Sequence, residues 1–159
     1  MDFTLRAPEP ADVETLAQLH TRCWKQSYAN QLPADYFTPE QLESRRTLWG
    51  RLLADQNPAL RRVVAESQGE LVGFALAGPG LDGEDRLQLY SLYLLAQCHG
   101  SGIGQGLLDA VLGDEPAVLW VARGNPRATA FYRRNGFAFD GAEKTDPGLP
   151  QMIELRMLR

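Results

Sequence analysis

Phe3, Leu5 and Ala7 alternate with Thr4 and Arg6, which predicts a short opening strand. The period then changes. Val13, Leu16, Ala17, His20, Cys23 and Trp24 fall on one face of a helix. The polar and aromatic stretch from Trp24 to Asp35 predicts a loop or a broken helix. Thr38-Pro39-Glu40-Gln41 opens a second helix, with Thr38 as cap, Pro39 in the first turn and Gln41 completing a capping box. Leu42, Trp49, Leu52 and Leu53 supply its apolar stripe. Arg62 to Ser67 and Glu70 to Ala77 read as two strands of a hairpin turned at Gln68-Gly69. After a loop from Gly78 to Asp85, the run Leu87 to Leu95 is a strongly apolar third strand. It leads through Ala96-Gln97-Cys98-His99-Gly100-Ser101-Gly102-Ile103-Gly104 into renewed helical spacing at Ile103, Leu107, Leu108, Val111 and Leu112.

Ala117 to Ala122 is another short apolar strand. Asn125-Pro126 supplies an N-cap and a first helical residue, and the helix runs to Asn135. Gly136 stands where a left-handed C-cap belongs. Phe137 and Phe139 begin a strand, and Ile153, Leu155 and Met157 alternate with Glu154 and Arg156 in a last one. The order β-α-α-β-β-β-α-β-α-β-β predicts an α/β sheet of mixed strand directions. No repeat or linker interrupts it, so residues 1–159 are expected to form a single domain. An exposed last strand would offer a surface for a homodimer.

Composition narrows the class. With 44% hydrophobic and 23% charged residues, the chain has ordinary globular content, which excludes disorder as its main state. No apolar run approaches the roughly 18 residues of a membrane span, and Met1 to Ala11 lacks the apolar core of a leader. A soluble, cytoplasmic protein without membrane contact is expected. The net charge of -4 argues against nucleic acid as a partner. Cys23 and Cys98 make neither a disulfide framework nor a metal set, so both are expected in the core, and no metal site is expected.

The glycine-rich segment carries the chemistry. A helix start presents unpaired N–H groups and about half a positive charge. Glycines let those amides converge on phosphate oxygens. Gly100, Gly102, Gly104 and Gly106 are placed for that work. The ligand is not one read by a P-loop, since G-x-x-x-x-G-K-[ST] is absent. The dinucleotide pattern G-x-G-x-x-G/A also fails, ending at Gln105 or Leu107.

The stretch Leu92-Tyr93-Leu94 through His99-Gly100-Ser101-Gly102-Ile103-Gly104 to Leu107-Leu108 resembles the acetyl-coenzyme A motif of the GNAT superfamily of N-acetyltransferases, [QR]-x-x-G-x-[GA]. Leu119-Trp120-Val121, Asn125, Arg127-Ala128, Phe131-Tyr132 and Asn135-Gly136-Phe137 resemble that family's next segment. The strand order is similar over nearly the whole chain, the residues over about Leu87 to Asp140. His99 departs from the family's Gln or Arg, which puts a side-chain contribution there in question.

The resemblance implies the GNAT fold, a mixed sheet of about seven strands with flanking helices. In it two central parallel strands splay, and the pantetheine arm of acetyl-CoA lies between them. It implies that backbone groups of Leu92 and Leu94 pair with that arm and that the Leu94 amide faces the thioester carbonyl, an oxyanion donor. His99, Gly100, Ser101, Gly102, Ile103, Gly104 and Gln105 would hold the pyrophosphate, with Asn125, Phe131 and Arg134 also touching the coenzyme. Asn125 is equally read as a plain N-cap. Arg123, Arg127, Arg133 and Arg134 are either a solvated face or a source of contacts to the 3′-phosphate. Tyr132 is implied as the general acid, through hydrogen bonding to the departing sulfur.

Many family members place a Glu in the strand of the third run. Here Gln88 stands there, and no carboxylate lies between Arg86 and Leu95. That absence favours an acceptor amine of lower pKa, an α-amine over an ε-amine. Trp24 and Tyr28, with Tyr36, are expected at an aromatic acceptor mouth or in a satellite cluster under a loop. The implied activity is direct acetyl transfer from acetyl-CoA to a primary amine of a small molecule. Acetylation of peptide N-termini and a non-catalytic acyl-CoA sensor are the alternatives.

Overall fold

A computed structural model describes residues 1–159. Seven strands form one sheet: β1 (Thr4–Arg6), β2 (Arg61–Ser67), β3 (Glu70–Pro79), β4 (Leu87–Leu94), β5 (Ala117–Ala122), β6 (Ala138–Asp146) and β7 (Leu149–Leu158). Four helices flank it: α1 (Val13–Tyr28), α2 (Pro39–Ala54), α3 (Ile103–Leu112) and α4 (Pro126–Arg134). The strand order is β1-β2-β3-β4-β5-β7-β6. β4 and β5 are parallel, and every other neighbouring pair is antiparallel. This is the mixed α/β sheet expected from the element order.

The local sequence explains the element ends. The Thr38 hydroxyl accepts from the Gln41 amide at 3.2 Å, and the Asn125 side chain accepts from the Ala128 amide at 3.2 Å, so both act as N-caps. Gly136 takes φ +84° after α4, where a residue with Cβ would be strained. One helix is longer than the sequence pattern predicts. α1 does not stop at Trp24 but continues to Tyr28. Tyr28 stands one turn beyond Trp24, on the same face, and their rings meet edge to face at 5.1 Å. Aromatic packing thus carries the helix through a locally polar stretch.

Chain order and sheet position diverge at the C-terminus. β7 enters between β5 and β6, so β6 forms the edge. The last strand is therefore paired on both sides. The expected homodimer surface loses its basis there.

Phe74 meets Trp49 at 4.8 Å and His20 at 5.3 Å, so its face of β3 carries α1 and α2. Neighbouring Gly73 faces the other way, where a Cβ would lie 3.1 Å from Leu107 of α3. Leu16, Trp49, Phe74, Ile103, Leu107 and Met157 are fully enclosed in the shared core. Both cysteines are buried and free, as expected.

Candidate active site

The sheet opens at its centre. β4 and β5 pair only over Leu87–Leu89 and Ala117–Leu119, although β4 runs on to Leu94 and β5 to Ala122. The cause lies in β4. Opposite β3, Leu76 pairs with Ser91 and Ala77 with Leu89, so Tyr90 is an extra, bulged residue. A bulge bends its strand and increases the local twist. β4 leaves β5 at that residue.

The opening exposes backbone groups. Leu95 donates to Val72 of β3 at 2.9 Å. Successive N–H groups of an extended strand alternate sides, so those of Leu94 and Leu92 face the gap. The Leu94 carbonyl accepts from the His99 ring at 3.2 Å. Burial and the nearby Arg127 push the His99 pKa down, so the ring is neutral and uses its N–H for this bond. His99 thus braces the end of β4.

Beyond His99 the chain turns sharply into α3. Gly100 and Gly102 have φ +78° and +88°, and a Cβ on either would meet nothing within 4 Å. The turn requires glycine for conformation, while the space above it stays clear. The amides of Gly102, Gly104 and Gln105 have no acceptor within the chain. Three free donors at a helix start, over open space, form an anion cradle suited to a diphosphate. Gly106 is not part of it. A Cβ there would approach Leu5 and Phe3 at 3.3 Å, so this glycine lets α3 pack close to β1.

A cavity of about 360 Å³ joins these features. Among the residues expected at the coenzyme, Leu92, Leu94, His99, Gly100, Gly102, Gly104, Gln105, Asn125, Phe131 and Arg134 all line it. Tyr132 and Tyr28 line it as well. The side chains of Ser101 and Ile103 do not. Ser101 Oγ donates to the Cys98 carbonyl at 2.6 Å, which ties the turn, and Ile103 is wholly buried in the core.

The four arginines separate. Arg127 and Arg134 line the cavity. Arg123 pairs with Glu143, and Arg133 lies over the Phe139 ring at 5.3 Å. Trp24 also stands away from the cavity. Its indole stacks on Tyr36 at 5.9 Å, with the buried Arg45 guanidinium at 5.1 Å from the ring. Both pack against a satellite cluster of Tyr28, Leu32, Ala122 and Met152, and of the three aromatics only Tyr28 lines the opening.

Gln88 is turned elsewhere. It is buried, and its Oε1 accepts from the Leu81 amide at 2.9 Å, so it braces the β3–β4 loop outside the cavity. Glu84 is likewise engaged, with Arg86. A carboxylate does line the cavity, but it comes from the last strand: Glu154 of β7, opposite Ala122 of β5. β4 still has no carboxylate between Arg86 and Leu95, but Glu154 brings one to the cavity from β7, so the lack in β4 alone no longer favours a low-pKa acceptor. Local pattern gave no way to find it, because β7 reaches the site only by entering the sheet beside β5. Tyr93 and Ser91 were missed in the same way, read as strand residues and found at the opening.

Tyr132 is buried between Phe131 at 5.3 Å and Phe137 at 5.9 Å. Burial raises its pKa above the ordinary tyrosine value, so its hydroxyl holds its proton. Tyr28 and Tyr93 are raised by burial too, and their hydroxyls lie 3.4 Å apart.

The chain is 32% identical to the probable N-acetyltransferase Rv2775 of Mycobacterium tuberculosis, over 88% of this chain and 82% of that protein. Its fold is similar to PaiA N-acetyltransferase from Thermoplasma acidophilum, solved in complex with coenzyme A, with a TM-score of 0.69, 22% identity and 98% of each chain covered. It is similar also to a ribosomal-protein-alanine N-acetyltransferase from Brucella melitensis, with a TM-score of 0.72, 23% identity and 98% of each chain covered. Residues 14–137, which hold the opened strands, the glycine turn and α4, match the model of the acetyltransferase (GNAT) family. This chain belongs to that family of acetyltransferases.

Proposed function

We propose that this acetyltransferase moves the acetyl group of acetyl-CoA directly to the primary amine of a small molecule. The observation that carries the reading is the opening itself. One cavity runs from the free amides of Gly102, Gly104 and Gln105, past the gap-facing groups of β4, to the phenols Tyr28 and Tyr132. Donor and acceptor can therefore meet without a covalent enzyme intermediate. Acetyl-CoA, the donor used by the family, supplies an activated thioester carbonyl.

The residues then have these roles. The three amides and Arg127 and Arg134 hold phosphate groups. The Leu94 N–H points where negative charge develops on the carbonyl oxygen, and one fixed donor of this kind is worth about 3 kcal/mol of barrier. Tyr132 stabilises the departing sulfur. Ordinary values of about 10 for a phenol and about 8.5 for a thiol already make complete proton transfer uphill by about 2 kcal/mol. Burial raises the phenol further, so a hydrogen bond to the thiolate is its main contribution. His99 acts through the Leu94 peptide and is a positioning residue.

We place the reaction in the cytoplasm. Two reduced, buried cysteines fit a reducing compartment, and no helix is long and apolar enough to cross a membrane.

The test is an acetyl-transfer screen over amines, amino acids, peptides and aminoglycosides, read by mass spectrometry. Acetylation of a small amine is expected. Turnover confined to peptide N-termini would replace the substrate class, and binding of acetyl-CoA without any transfer would leave only a sensor.

A further inference from the structure

The cavity is electrostatically polarised. Arg127 and Arg134 line it together with the glycine turn, and its sole carboxylate, Glu154, comes from β7. Glu154 is opposite Ala122, at the far end of β5, where the gap between the parallel strands is open. Alternation along β7 puts it on the same face as Met152, which packs with Tyr28 and Leu32 at the end of α1. The glycine turn is on the other face. A Cβ at Gly104 would meet Leu94 and Phe131, the α3 and α4 side. The two ends of the cavity thus lie on opposite faces of the sheet, joined through its opening.

The Glu154 carboxylate accepts no hydrogen bond from any group in the chain. Its one charged neighbour is Lys144 of β6, at 3.8 Å. That ammonium is itself drawn over the Trp120 ring, 4.3 Å from its centre. The phenols of Tyr28 on α1 and Tyr93 on β4 line the same cavity as Glu154, with their hydroxyls 3.4 Å apart. A half-exposed carboxylate that accepts no hydrogen bond and shares a cavity with two phenols is a receptor for a cation.

We infer that Glu154 binds the acceptor, receiving its ammonium group beside the Tyr28–Tyr93 hydroxyl pair on the α1 face of the opening. The inference rests on the acetyltransferase reading above and adds a substrate class to it. An amine with no acid close to its nitrogen is favoured, and an α-amino acid is repelled by the same carboxylate that would attract its ammonium. Arg127 and Arg134 stay with the donor, on the other face, and Arg45 of α2, on the acceptor face, lies over the Trp24 and Tyr36 rings rather than in the cavity.

Two thioether probes test this without knowledge of the natural acceptor. S-(2-aminoethyl)-coenzyme A carries an ammonium just beyond the sulfur, where an attacking amine approaches, and S-propyl-coenzyme A is its neutral isostere. By calorimetry the protein should bind the aminoethyl compound about tenfold more tightly, a gap of about 1.4 kcal/mol. Glu154→Gln should close the gap while leaving affinity for the propyl compound intact. Lys144→Met, which removes the competing ammonium, should widen it. No gap in the unaltered protein, or the same gap in Glu154→Gln, would overturn the inference. Failure of coenzyme A and both thioethers to bind would instead overturn the donor site on which it rests.

Discussion

Alanine at Gly102 separates the conformational role of the glycine turn from its role as an anion cradle. Gly102 has φ +88°, and a Cβ there meets nothing within 4 Å. The substitution therefore creates no clash within the chain. It costs only the left-handed strain of a residue with Cβ, about 1 kcal/mol. In a chain of this length that lowers the Tm by roughly 2–4 °C. Gly83, in the β3–β4 loop, provides the control, with φ +81° and the same clear surroundings but no place in the main cavity. Gly83→Ala should lose a similar Tm.

Unlike Gly83, Gly102 lines the cavity beside the free amides of Gly104 and Gln105, so only there does the added methyl take up room in it. Hydrogen bonds to a charged group are worth about 1.5–3 kcal/mol. Displacing one phosphate oxygen should then weaken coenzyme A by roughly tenfold to a hundredfold. Calorimetric titration of coenzyme A into both variants reads the difference. Equal affinity of Gly102→Ala, Gly83→Ala and the unaltered protein would show that the turn holds no diphosphate.

Three further outcomes follow from the same geometry. Tyr132→Phe keeps the buried ring and removes the hydroxyl, so kcat should fall while coenzyme A affinity stays constant; unchanged turnover would remove the hydroxyl from the reaction. Arg127→Ala and Arg134→Ala should each weaken coenzyme A, and titrating the 3′-dephospho form identifies which of the two faces the 3′-phosphate by a smaller loss. Arg133→Ala, stacked on Phe139, should change neither affinity. Stability should also fall in mild acid through His20. Burial, with Arg45 nearby, brings its pKa down to about 3, so the folded ring stays neutral where the unfolded ring, near 6.5, takes up a proton. The His20 contribution is complete above about pH 6.5 and is lost as pH falls toward 3, at up to about 1.4 kcal/mol per pH unit. Denaturant unfolding across that range should show a shallower pH slope for His20→Leu, and parallel slopes would refute the assignment.

The local pattern of this chain carries its elements, its helix caps and the phosphate end of its site. Those features depend on residues close in sequence. Thr38 caps an amide three residues on, and Gly100, Gly102, Gly104 and Gln105 act within one turn. The rest of the site is different. The Tyr90 bulge that parts β4 from β5 shows only in the register against β3, and the separation of Arg127 and Arg134 from Arg123 and Arg133 depends on what each side chain meets across space. Gly106 looked like its neighbours in the turn until β1 was placed against it. Glu154 alternates with apolar residues like any strand residue facing solvent. It becomes part of the site because β7 returns to the middle of the sheet beside β5, a pairing that joins residues 32 positions apart, Ala122 and Glu154. Periodicity reports which face a residue takes within its own element, whereas strand order is decided by the long-range packing of the sheet.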